Sequence, residues 1–392
     1  MKRIWMFVWI ALGIFLLTVP KMCYAGKGNN ALEEREGEES DTAEMLLSEL
    51  ELSQVQDMLD ALLAENSFSI KDTLGKMIQG EEVFSKEAVQ KILHSFFFGE
   101  LEKEKALFGK LIVLILMAAI FSNFAAVFES GQIGEMCFYV VYLLLFVLLM
   151  DSFKETSQSL EQTLSWMSEF MRGLAPAFFL TVSVSSGAAS AAVFYEGVLL
   201  LTWLVQWVLV NMLLPAADLY VLLSLISHLS KEEMLEKMTE LLNTIVRWGV
   251  KTLLGVVAGL QFVRGLVSPV MDSLKRSLAG KAASALPGIG NAVNVVTEVV
   301  LTSAVLVRNC FGVVILLILA AVGIMPLLNC GVLSLGYRFL SAVSQPISDK
   351  RMTACLTTMG ESYSLLLQIL IAAEILSMLD FVVLMIGVGG IR

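Results

Sequence analysis

A chain of 392 residues that is 57% hydrophobic and 16% charged, with a mean hydropathy of +0.76, carries too much apolar surface for water to be its sole solvent. Its formal charge of −10 is unevenly placed: residues 1–25 carry +3, residues 26–105 hold 8 basic against 19 acidic residues, and residues 106–392 sum to −2. No basic stripe interleaved with aromatics occurs, which argues against nucleic acid as a partner and for the lipid bilayer.

The first 25 residues have the layout of a secretory signal. Lys2 and Arg3 precede an apolar run from Ile4 to Val19, Pro20 breaks it, and Cys23-Tyr24-Ala25 precedes Gly26. Cleavage after Ala25 is the expectation, and the length of the apolar run leaves a retained anchor as the alternative. Either way residue 26 crosses the membrane. Residues 26–105 then form an acidic extracytoplasmic segment. Its Glu-rich start is too polar to fold, and Asp41 with Glu44 opens an amphipathic helix carrying Leu47, Leu50, Met58, Leu59 and Leu62. A second helix begins near Ser85. So small a segment cannot build much core alone, so the reading places it against a partner or the membrane surface.

The rest, residues 106–392, reads as a multi-span transmembrane domain of about six to eight spans. Residues 106–128 and 133–150 form a helical hairpin long enough for a hydrocarbon core of roughly 30 Å. Residues 154–172 read as an interfacial amphipathic helix with Trp166 as its anchor. Small residues crowd 173–195, a sign of close helix contact. The apolar run from 198 is expected to break at Pro215, with Asp218 in the piece that follows, and a second amphipathic helix precedes the span from Gly249. In that span Gly255 and Gly259 sit at the spacing that favours helix contact. A polar connector from 268 to 290 leads to an apolar stretch holding Asn294 and Glu298. Residues 310–328 span, 331–343 read as interfacial, and the last span, from 362, contains Glu374 and Asp380. Arg172-Gly173 and Arg247-Trp248-Gly249 share a plan that could mark a duplicated unit. The fold class is therefore all-α: a polytopic helical membrane protein with a short exported helical domain and interfacial helices.

Chemistry with a local signature is missing from the sequence. No Walker-type loop, His-Glu-x-x-His helix or nucleophile elbow occurs, so the reading assigns no enzyme activity, no cofactor and no catalytic residue. His94 and His228 are the only histidines, and no metal site is expected. The acidic segment lacks cysteine, and Cys310 and Cys330 would lie about 30 Å apart on one helix, far beyond disulfide reach.

One stretch carries more information than its composition. Pro287-Gly288-Ile289-Gly290 suits a chain reversal at the membrane surface, Pro fixing one dihedral and the glycines admitting positive ones. With its flanks it reads Gly280-Lys281-Ala282-Ala283-Ser284-Ala285-Leu286-Pro287-Gly288-Ile289-Gly290-Asn291-Ala292-Val293-Asn294. This resembles the signature of the stage III sporulation protein AE family of endospore-forming bacteria, and the order of signal, acidic segment, spans and connector agrees along nearly the whole chain. The resemblance implies a membrane subunit of the channel that joins mother cell and forespore and supports late forespore gene expression. It implies a place in the mother-cell membrane surrounding the forespore. The partners it implies are a secretion-type ATPase, ring-forming proteins of the intermembrane space and a forespore membrane protein, in a hetero-oligomer.

The family supplies no catalytic residues, so the candidate structural or functional positions are Lys281, Pro287, Gly288, Gly290 and Asn291 of the connector, Glu298, and Glu374. Glu374 stands out because an acidic side chain at bilayer depth costs roughly 2.5–3.5 kcal/mol and should face other helices or water, held by a polar partner. At 100° per residue Tyr363 and Ser377 share its side of the helix, whereas Asp380 points about 120° away. Two other readings remain, an autonomous permease and a membrane scaffold without a pore. N-terminal sequencing of the membrane-inserted protein separates the two leader readings: Gly26 first means cleavage, Met1 a retained anchor.

Overall fold

The computed structural model describes residues 56–57, 69–78, 86–125, 131–174, 188–229, 235–283 and 290–387. The expected signal at 1–25, the Glu-rich start of the acidic segment, and Pro287 with Gly288 lie outside the described residues. Within them every regular element is helical: α1 Ile70–Ile78, α2 Lys86–Ala125, α3 Gly131–Gly173, α4 Ala188–Val208, a π turn Leu209–Leu213, α5 Leu214–Leu229, α6 Glu236–Ala283, α7 Gly290–Ser344 and α8 Lys350–Gly387. Among the described residues four stretches are long and apolar enough to cross a membrane: Tyr195–Leu229, Glu236–Gln261, Asn309–Ser344 and Lys350–Val383. Helices α2 and α3 each also hold an apolar run, 108–125 with Lys110 as its one charged residue and 134–150 with Glu135 as its one charged residue.

Several helices are longer than the sequence suggests. The helix expected near Ser85 and the first span are one element, α2. Residues 154–172 continue the span before them instead of forming a separate interfacial helix, and Trp166 stacks on Phe170 at 4.7 Å within the bundle. Residues 331–343 likewise belong to α7, where Leu333 and Tyr337 are buried. The proposed duplicated unit does not share one plan: α3 ends at Gly173, whereas Arg247 to Gly249 lie inside α6. The common cause is that an amphipathic stretch remains helical wherever its apolar face finds another helix, with no bilayer surface required.

The expected break at Pro215 is absent, and the reason is local. Proline cannot supply the N–H of an α-helical ladder and its ring crowds the preceding turn. One turn before it the backbone widens into π geometry, with the Leu214 N–H donating to the Leu209 carbonyl, and the helix passes through from Ala188 to Leu229. The widened turn carries Leu213 against α6, where a Cβ on Gly249 would stand 2.6 Å from a Leu213 methyl.

At the N-terminal side, the Ser69 side chain accepts the Asp72 N–H at 3.3 Å and caps α1. Helix α1 packs on α7 with Ile70 and Leu74 fully buried. The chain's own α7 thus covers this part of the acidic segment, where the sequence suggested a partner or the membrane surface.

Helix α8 is the axis of the bundle and touches α3, α4, α5, α6 and α7. Asp349 caps it, accepting the Arg351 N–H at 2.8 Å, and turns the chain from α7 into an antiparallel hairpin. A close approach in that hairpin is at Gly360, whose carbonyl accepts the Ser334 hydroxyl at 2.8 Å. A Cβ there would meet the Arg338 Cγ at 2.7 Å and the Ser334 carbonyl at 3.2 Å. By contrast, a Cβ on Gly255 or Gly259 of α6 would have nothing within 4 Å, so their spacing does not mark a contact among the described residues. Cys310, Cys330 and Cys355 are buried.

These glycine environments make a contrast that can be measured. Gly360→Ala should destabilise the detergent-purified protein by about 1–3 kcal/mol through overpacking. Gly331→Ala, on α7 with nothing within 4 Å, should be neutral or stabilising by up to about 1 kcal/mol. Denaturant unfolding followed by tryptophan fluorescence reads both.

Candidate functional site: the polar seam around α8

Lipid offers no hydrogen bonds, so a polar atom on a spanning helix must find its partner on a neighbour. On α8 these partners fall into levels that give the register of the bundle. Near the hairpin end, Tyr142 of α3 donates its hydroxyl to the Leu225 carbonyl of α5 at 2.5 Å, leaving its oxygen to accept the thiol of Cys355 at 2.9 Å. One turn on, Thr358 meets His228 Nε2 at 2.9 Å and Ser224 at 3.4 Å, and Glu361 accepts the Tyr220 hydroxyl at 3.4 Å. Tyr363 bonds Ser152 of α3 at 2.9 Å and stacks on Tyr337 of α7 with centroids 5.3 Å apart.

At the far end Asp380, 1% exposed, accepts the Thr202 hydroxyl of α4 at 2.9 Å and the Gln261 amide of α6. Twenty-two residues separate the Thr202–Asp380 and Ser224–Thr358 contacts on both helices, so α4, the π turn and α5 lie antiparallel to α8 throughout. Asp218, the acidic residue after Pro215, accepts the Ser157 hydroxyl of α3 at 2.8 Å.

Glu374 lies between these levels. It is 7% exposed and points at α7, where Gly323 leaves the space its carboxylate occupies, so that a Cβ on Gly323 would collide with the carboxylate oxygens. Tyr363 also faces α7, while Asp380 faces α4 and α6, as helical spacing requires. Neither Glu374 oxygen has a hydrogen-bond partner among the described residues, nor do the amide atoms of the buried Gln206 on α4. The sequence reading expected a polar partner for Glu374. Its neighbour is instead a glycine, and among the described residues no donor reaches either oxygen.

The other candidate residues lie elsewhere. Lys281 is in the last turn of α6, Gly290 opens α7, and Asn291 and Glu298 follow in its first turns. Pro287 and Gly288 fall between the two helices, outside the described residues. The connector is therefore separated in the chain from the seam that holds Glu374. Gly323, Thr202 and Gln261 were not singled out by the sequence. Small and polar residues are common in spans, and only the pairing with α8 distinguishes these three. Among the described residues no group of His, Cys, Asp or Glu is arranged to hold a metal ion.

The fit of Glu374 to Gly323 can be tested by a double-mutant cycle. Gly323→Ala should cost about 1–3 kcal/mol in the parent chain and less than about 0.5 kcal/mol in a Glu374→Ala background. Equal costs in both would show that the carboxylate does not define the space.

Comparison with known proteins places this architecture. The description of the stage III sporulation protein AE family matches residues 68–389, which takes in α1 to α8. The chain is similar to the stage III sporulation protein AE of Bacillus subtilis (strain 168), with 24% identity over 390 residues, covering 97% of this chain and 96% of the relative. No solved structure matches. A match that runs from α1 through the α7–α8 hairpin covers all eight described helices, and on that ground the chain belongs to the stage III sporulation protein AE family.

Proposed function

We propose that this membrane protein of a sporulation family is a subunit of a transenvelope channel linking mother cell and forespore, seated in the mother-cell membrane that surrounds the forespore. In this reading it catalyses no reaction and supports late forespore gene expression as part of a hetero-oligomer with ring-forming proteins. The observation that carries the subunit reading is the position of α8. This helix fills the axis of the bundle and is packed by five others, with Leu356, Leu366, Leu370 and Ala373 fully buried. A single copy then has side chains where a pore would run, and a path for solutes needs walls from more than one chain. The second reading, an autonomous permease, draws support from the buried Glu374 and Gln206 that lack hydrogen-bond partners.

Two measurements on the full chain separate the readings. The purified protein in liposomes should pass a small hydrophilic dye no faster than protein-free vesicles. The same protein, isolated from sporulating cells under mild detergent, should bring ring-forming proteins with it. Flux from the chain alone, without such co-recovery, would establish the permease and overturn the subunit reading.

A further inference from the structure

Helix α3 changes its surroundings partway along. Between residues 136 and 147 its exposed large side chains are apolar, among them Val140, Leu143, Leu144 and Val147. Between residues 151 and 172 every exposed side chain is polar, while Phe153, Leu160, Leu164 and Met167 on the opposite face are buried in the bundle. The exposed strip includes Lys154, Glu155, Gln158, Glu161, Gln162 and Ser165, and with Asp151, Glu169 and Arg172 it carries a net charge of −2.

The strip runs alongside a surface of the opposite character. Ser157 bonds Asp218, and the Met171 carbonyl accepts the Tyr195 hydroxyl, so this half of α3 lies beside the apolar stretch Tyr195–Leu229. Over that interval the neighbouring helix exposes Leu200, Trp203, Leu204 and Met212. The Thr202–Asp380 bond aligns both with the second half of α8. Residues 151 to 172 rise about 32 Å, comparable to the roughly 30 Å hydrocarbon core. At one depth, therefore, one helix presents a lipid-type surface and its neighbour a charged one. Lipid cannot meet several charges on a single face without a cost of a few kcal/mol for each.

We propose that the strip from Lys154 to Ser165 is wet at bilayer depth and forms one wall of an aqueous path that favours cations. Its role as a path wall rests on the channel-subunit reading, but its wetting does not. The acidic excess on a face bordered by apolar surface concentrates the field, raising local cation concentration and depressing that of anions.

Thiol accessibility in the full chain tests this. Single cysteines at Gln158, Gln162 and Ser165, and at Leu143, Leu204 and Met212, are introduced with Cys137→Ser. The buried native cysteines stay in place, and their background rate is taken from the parent. In intact membranes, charged impermeant methanethiosulfonates should modify the strip positions about tenfold faster than the three apolar ones, since the reaction needs a water-exposed thiolate. At low salt the cationic reagent should lead the anionic one by about threefold. Strip rates as low as that of Leu143→Cys would overturn the proposal. So would equally fast reaction at Leu204→Cys and Met212→Cys, which would place this depth outside the bilayer. Equal rates for the two reagents would overturn the cation preference. Labelling needs neither partners nor flux, so a failure of the channel reading would leave these rates unchanged.

Discussion

The structure depends on burying one helix on nearly all sides in a medium that cannot hydrogen-bond to it. Helix α8 carries Thr358, Glu361, Ser362, Tyr363, Glu374 and Asp380, and lipid cannot solvate them. Hydrophobic burial gives little drive for association once helices are in lipid, so close packing and interhelical bonds averaging about 0.6 kcal/mol hold the bundle. Each bond fixes a partner as well as stabilising a pair. Tyr142 ties α3 to α5 and α8, Thr202 ties α4 to α8, and Gln261 ties α6 to the same Asp380. The register of five helices follows from satisfying one.

Where that requirement is relaxed, packing takes over. Gly323 admits the carboxylate of Glu374, Gly360 admits Arg338 and the Ser334 carbonyl, and Gly249 admits Leu213 from the π turn. These contacts serve two helix pairs, α7 with α8 twice and the π turn with α6, and in each a missing side chain on one helix is filled by its neighbour. The π turn belongs to the same logic. It removes the conflict that Pro215 would create in an α-helical ladder and displaces Leu213 into the hole at Gly249, so a potential break becomes a packing contact.

The outer surface is less uniform than the interior. The first half of α3 and the exposed face of α2, with Ile112, Val113, Leu116 and Met117, present ordinary lipid-facing side chains. The second half of α3 does not, although its buried face packs as firmly, with Leu164, Met167 and Phe170 wholly covered. On the proposed subunit reading, the apolar half of α3 would meet lipid and the polar half water or protein. The long helices place both on one continuous element. Helix α1, docked on α7, ties residues 70–78 to the same body.

The sequence by itself determined the all-helical class, the membrane as solvent and the family, because hydropathy, charge distribution and a long connector motif are properties of local composition. It also determined that Glu374 and Asp380 point in different directions, since that follows from 100° per residue. It misplaced the element boundaries at 150, 215 and 331, where amphipathic or proline-containing stretches are locally ambiguous. Whether such a stretch lies on a bilayer or continues a helix depends on whether another helix covers its apolar face, and coverage is a tertiary property. Only the assembled bundle decided that Gly323 rather than a polar residue faces Glu374 and that Thr202 and Gln261 share Asp380. These pairs join residues 51 to 178 positions apart, and no pattern within a single span encodes which helix will lie against it.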